Sequence, residues 1–88
     1  MQFQDTKTGK VVPTGYALVK DPNGQDIHRA NDAGYVSNDT INPYHYASPA
    51  TVTFGADGYE VQTYPINDAY KVEYVMLKPI AAAQAESK

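Results

Sequence analysis

The chain has no cysteine in its 88 residues, so neither a disulfide framework nor a thiolate metal site can supplement its core. Positive charge is scarce as well. Seven Lys and Arg stand against ten Asp and Glu, for a net charge of −3. Lys7, Lys10, Lys20, Arg29, Lys71 and Lys78 lie scattered among the acids, and no basic stripe exists for a phosphate backbone, so nucleic acid is not an expected partner. No stretch approaches the roughly 20 apolar residues of a membrane span. Met1-Gln2-Phe3-Gln4-Asp5 has neither the basic start nor the apolar run of about 7 to 15 residues that a secretory signal needs. Read as a native start, it sets the expectation of a chain that is not exported by that route and acts in a cytoplasmic or virion assembly.

What is present fits one small globular domain. A chain this short buries only a little over about 60% of the surface its unfolded form exposes, which leaves no room for a second core. Hydrophobic residues make up 42% and charged residues 19%, outside the disordered and collagen-like classes. Eight Tyr supply large rings whose hydroxyls stay at a wet edge, as the boundary of a thin β fold requires.

The pattern along the chain is that of short strands and sharp turns. Val11-Val12 and Tyr16-Ala17-Leu18-Val19 read as strands around Pro13-Thr14-Gly15. Asp21-Pro22-Asn23-Gly24 places Pro where a type I turn wants it and Gly where a positive φ follows, predicting a hairpin between residues 16–20 and 25–30. Asn31-Asp32-Ala33-Gly34 is a second turn, in which the Asp side chain is expected to accept backbone N–H groups, followed by a strand at Tyr35-Val36-Ser37. A long loop then runs from Asn38 to Pro49. Ala50 to Phe54 alternates with a period of two, Ala56-Asp57-Gly58 turns, and Tyr59 to Tyr64 alternates back. The last strand is expected over Tyr70 to Leu77, with Tyr70, Val72 and Tyr74 on one face and Lys71 and Glu73 on the other. Residues 1–80 are the predicted domain. Residues 81–88 form a tail of high helix propensity, too short to hold a helix alone and expected to be flexible. The fold class predicted is all-β, a single small antiparallel β-sandwich of about seven strands, Ig-like in layout.

Taken in order, Asp5-Thr6-Lys7-Thr8-Gly9-Lys10-Val11-Val12-Pro13, Ala17-Leu18-Val19, Asn31-Asp32-Ala33-Gly34-Tyr35 and Ala56-Asp57-Gly58-Tyr59-Glu60 resemble the carboxypeptidase regulatory-like family, whose fold is transthyretin-like. Asn31 stands where that family usually has Thr, and the loop at 38–49 is longer than its usual connection. The resemblance implies a non-catalytic accessory module. The wider fold includes the hydroxyisourate hydrolases, but their C-terminal Tyr-Arg-Gly-Ser signature is absent, and the chain is expected not to be an enzyme.

Candidate chemistry is thin. Asp21 to Asp26 spaces side-chain oxygens faintly like a calcium loop but lacks the distal bidentate Glu, and the hairpin turn is the better reading. His28 and His45 have no ligand spacing, and no nucleophile elbow or phosphate loop occurs. No catalytic, metal or cofactor site is predicted. The cluster Tyr44-His45-Tyr46, between Pro43 and Pro49, is the candidate partner-binding site, because a loop on a rigid β scaffold commonly carries recognition and Tyr offers contact area at low entropic cost. The competing reading folds one or two of these rings back onto the core. The functional expectation is a structural subunit that docks on a larger protein assembly such as a virion, with self-association open. The alternative is an accessory module, excised from a surface protein, that binds a ligand such as carbohydrate.

Overall fold

The strongest turn signal in the sequence sets the register of the main sheet in the computed structural model, which describes residues 1–80. Asp21-Pro22-Asn23-Gly24 joins β2 (Tyr16–Asp21) to β3 (Gly24–Arg29), with Asp21 opposite Gly24 and Tyr16 opposite Arg29. The Asp21 carboxylate closes the turn by accepting the Asn23 N–H at 2.9 Å. β2 also pairs antiparallel with β4 (Thr51–Gly55), which pairs antiparallel with β5 (Gln62–Pro65). The four-stranded sheet therefore has the order β3-β2-β4-β5.

A second sheet has two strands, β1 (Gln2–Asp5) and β6 (Tyr74–Leu77), and they run parallel. Neither the existence of β1 nor a parallel pair was expected. On its other side β1 is held by two extended segments through Val12 N–H to Phe3 C=O at 2.9 Å and Phe3 N–H to Gly34 C=O at 2.8 Å. The strands expected at Val11-Val12 and Tyr35 to Ser37 thus exist only as single bridges onto β1, Gln4 with Val11 and Gln2 with Tyr35.

The alternation of the strands puts one face of each sheet into a common core. Ala17, Val19, Val52 and Phe54 come from the four-stranded sheet and Phe3, Val75 and Leu77 from the two-stranded one, all buried. The rings of Phe3 and Phe54 meet edge to face, centroids 5.9 Å apart, a favoured geometry for an aromatic pair. Gly15 lets this happen, because any Cβ there would collide with the Phe3 ring. Gly34, at φ +71, is both a positive-φ turn residue and a close-approach position: a Cβ would come within 3.2 Å of the Phe3 carbonyl oxygen and the Val12 nitrogen.

The end of the chain departs from expectation. Residues 66–69 form one helical turn, α1 (Ile66–Ala69), with Ile66 and Ala69 buried. The last strand is confined to β6, where Val75 and Leu77 point inward while Tyr74 and Met76 are exposed. The face expected to bury Tyr70, Val72 and Tyr74 is therefore split. Val72 and Tyr70 pack half-buried before the strand begins, and Tyr74 faces out. β5 starts at Gln62, because residues 58–60 leave β4 to bond the end of the chain, through Glu60 N–H to Lys78 C=O at 2.8 Å and Ile80 N–H to Gly58 C=O at 3.0 Å. The fold is small, mostly strand and all-β in class, with one antiparallel and one parallel sheet. The tail at 81–88 lies outside the described residues.

Candidate functional site

Local capping chemistry turns the predicted loop from Asn38 to Pro49 into a structured ledge. Ser37 caps a first 3-10 turn, Asn38–Ile41: its Oγ accepts the Asp39 N–H at 3.3 Å, and its carbonyl accepts the Thr40 hydroxyl at 2.7 Å. Asn42 caps a second, Pro43–His45, by accepting the Tyr44 N–H at 2.9 Å, with Pro at the first helical position. Ile41, fully buried, fastens the ledge to the core. Asn38 ties its root to the far side of the molecule, donating to the carbonyls of Tyr70 (2.9 Å) and Val72 (2.8 Å) and accepting the Met1 amine at 2.6 Å.

The three candidate residues separate by role. Tyr46 is half-buried; its hydroxyl donates to the Thr40 carbonyl at 3.2 Å and lies 2.9 Å from His28 Nε2 on β3. Burial, reinforced by the neighbouring Asp26 and Asp21 carboxylates, pushes its phenol up to about 12. Tyr44 is 94% exposed at the tip. His45 is exposed beside it. Tyr46 therefore ties the ledge to the sheet, and Tyr44 and His45 are displayed.

One further residue, not singled out by sequence, completes the ledge. The Asp21 carboxylate that closes the hairpin turn with one oxygen accepts the Ala47 N–H with the other, at 3.0 Å. Between turn and ledge lies a polar cleft of about 240 Å³ lined by Asp21, Asn23, Asp26, His45 and Tyr46. The signal that could have found this arrangement was Asn42-Pro43, a cap residue followed by the residue preferred at N1.

Asp5 repeats the double use of Asp21 on the opposite side. Its Oδ1 accepts the N–H groups of Lys7 (2.6 Å) and Thr8 (3.0 Å), and its Oδ2 accepts the Tyr59 hydroxyl at 2.6 Å. Those bonds, the Tyr59 one foremost, hold its carboxyl below the ordinary range and raise the Tyr59 phenol in turn. In the Asn31 to Gly34 turn the expected acceptor is corrected. Asn31 Oδ1 takes the Ala33 and Tyr35 N–H groups at 2.9 and 3.1 Å, and Asp32 is exposed. A larger groove of about 510 Å³ opens between β5 and β6 over Phe54, Tyr64, Val72, Val75 and Met76. It is bridged by Gln62 Nε2 donating to the Met76 carbonyl at 2.6 Å.

Comparison with known proteins gives no match: no family model fits the chain, and neither a curated protein nor a solved structure matches it.

Proposed function

We propose that this protein is a non-catalytic assembly subunit, a small transthyretin-like sandwich that docks on a larger protein complex, such as a virion, through the ledge at 38–49. The observation that carries the reading is the contrast within the ledge: its backbone is tied down by Ser37, Asn42, Tyr46 and Asp21, yet it holds Tyr44 94% exposed. A ring kept in place before contact loses little freedom on binding, so more of its contact energy appears as affinity. His28, one of the chain's two imidazoles, is occupied with Tyr46 in a structural bond.

A second reading, an accessory module for a ligand such as carbohydrate, is favoured by the polar cleft beside His45 and Tyr46. There the carboxylates of Asp21 and Asp26 and the amides of Asn23 and Gln25 adjoin the Tyr46 phenol ring, the combination of hydroxyl-binding groups and an apolar face that a sugar requires. Tyr44→Ser tests the docking reading. The variant should melt with the wild type and lose retention on an assembly that retains the wild-type protein. Full retention removes the ledge as the contact.

A further inference from the structure

The β3 edge of the four-stranded sheet carries a self-complementary pattern whose outward backbone groups the ledge does not use. Ala30 N–H donates to the Gly15 carbonyl at 2.8 Å, which fixes the phase of the β2–β3 ladder. Stepping back two residues at a time along the antiparallel register, Asp26 and His28 exchange their backbone bonds with Val19 and Ala17. Gln25, Ile27 and Arg29 therefore direct their N–H and C=O groups off the sheet. Every residue of β3 except His28 is exposed, Ile27 to 45%.

The opposite edge is blocked. On β5 the equivalent outward positions are Thr63 and Pro65, and Pro has no N–H to offer. Next to it, residues 58–60 are bonded to 78–80, and Gln62 reaches across to Met76. Open edges invite pairing, and natural proteins usually obstruct them. Among the described residues, β5 is obstructed and β3 is not.

We propose that two copies of this chain join through antiparallel pairing of β3 with β3 about a two-fold axis at Ile27. In that register Ile27 faces Ile27 and each Gln25 faces an Arg29, with the outward N–H and C=O groups of all three residues satisfied. The alternate positions bring each Asp26 opposite a His28, so that a carboxylate meets an imidazole twice in every dimer, through the Nδ1 that the Tyr46 bond to Nε2 leaves over. These are the non-hydrogen-bonded positions, where Cα atoms approach to about 4.5 Å and side chains interact most closely. A shift of the register by two residues loses both the Asp26–His28 matches and the central Ile pair. On the outer face the two Ile27 side chains extend a row already formed by Leu18 and Thr53. The two four-stranded sheets become one. This contact does not use the displayed Tyr44 and His45, and its occupant is a second copy because the pattern reads the same in both directions.

The test combines sedimentation with amide hydrogen exchange at low and high protein concentration. A concentration-dependent dimer is expected, in which the Gln25, Ile27 and Arg29 amides gain protection while those of Asp26 and His28, already in the ladder, change little. Ile27→Pro removes an outward N–H at no cost to the ladder and should give a folded monomer. Tyr44→Ser should dimerise like the wild type. The proposal is overturned by a chain that stays monomeric up to about 1 mM, by Ile27 exchange that does not depend on concentration, or by an Ile27→Pro variant that still dimerises. A dimer lost on Tyr44→Ser would place the contact on the ledge and overturn it as well.

Discussion

Strand β5 ends the four-stranded sheet beside a second layer of bonds, with Gln62 crossing to Met76, Glu60 bonded to Lys78 and Pro65 withdrawing an N–H. β3, at the other margin, turns the backbone groups of Gln25, Ile27 and Arg29 off the sheet and meets the ledge through His28 and Tyr46 on its inner side. The two margins use the same device, an aspartate that closes its own turn with one oxygen and holds a remote segment with the other. On the β5 side Asp5 grips the Tyr59 hydroxyl inside the protein, and on the β3 side Asp21 grips a backbone N–H at the surface. One margin is consolidated, and the other is exposed. If the proposed contacts hold, stability and recognition divide between opposite ends of the four-stranded sheet.

The largest expected effect falls on the consolidated side. Phe54 touches Phe3 edge to face and Tyr64 at a centroid distance of 6.0 Å, so Phe54→Ala should cost about 3–5 kcal/mol in chemical denaturation. A loss under about 1 kcal/mol would mean that the β5 side is not the stable half.

Acid should attack the same side. The Asp5 carboxyl is held low, first by the Tyr59 hydroxyl and then by the Lys7 N–H. Its contribution is complete above the unfolded-state value near about 3.9 and drains away as pH falls through the lower folded-state value. Asp5→Asn should flatten the acid limb of the stability profile. An unchanged slope would detach Asp5 from acid unfolding.

Alkali should reach the ledge. A phenol whose pKa is raised stabilises the folded state below its unfolded value of about 10, and for Tyr46 that contribution is lost as pH rises towards about 12. Tyr46→Phe should cost about 1–3 kcal/mol at neutral pH, the worth of the two hydroxyl hydrogen bonds to Thr40 and His28, and should shallow the alkaline limb. Tyr59, also raised, keeps part of that limb in the variant. A Tyr46→Phe loss as large as that of Phe54→Ala would erase the distinction between the two margins. The smallest effect belongs to Tyr44→Ser, within about 0.5 kcal/mol, because the ring touches nothing that the fold needs.

The hairpins could be read in advance because their signals are local. Asp21-Pro22-Asn23-Gly24 states its turn outright, and alternation from residue 50 onward set β4 and its pairing with β5. β1 escaped because Gln2-Phe3-Gln4-Asp5 holds one apolar residue and pairs with a strand at the other end of the described chain, so nothing nearby announces it. At the end of the chain the alternation of Tyr70, Val72 and Tyr74 was real. Its phase, however, is set by where Val75 and Leu77 meet the core, and α1 shortens the strand from the front. In the ledge, Tyr44 and Tyr46 are chemically identical in sequence. The hydrogen bonds of the Tyr46 hydroxyl to the Thr40 carbonyl and to His28, which reaches from another strand, separate the anchor from the displayed ring.

The parallel pairing of β1 with β6 also has a mechanical meaning. The chain enters β1 at Gln2 and leaves β6 at Leu77, and because the two strands point the same way these ends lie at opposite extremes of the pair. Tension applied between them runs along the strands, so the bonds from Gln2 N–H to Glu73 and from Thr6 N–H to Leu77 are loaded together with the ladder between them. An antiparallel pair pulled from neighbouring ends opens one bond at a time, like a zip. Here the pair must slide, and the buried rings of the core must slide with it, which makes the seam between β1 and β6 a shear clamp against force along the chain.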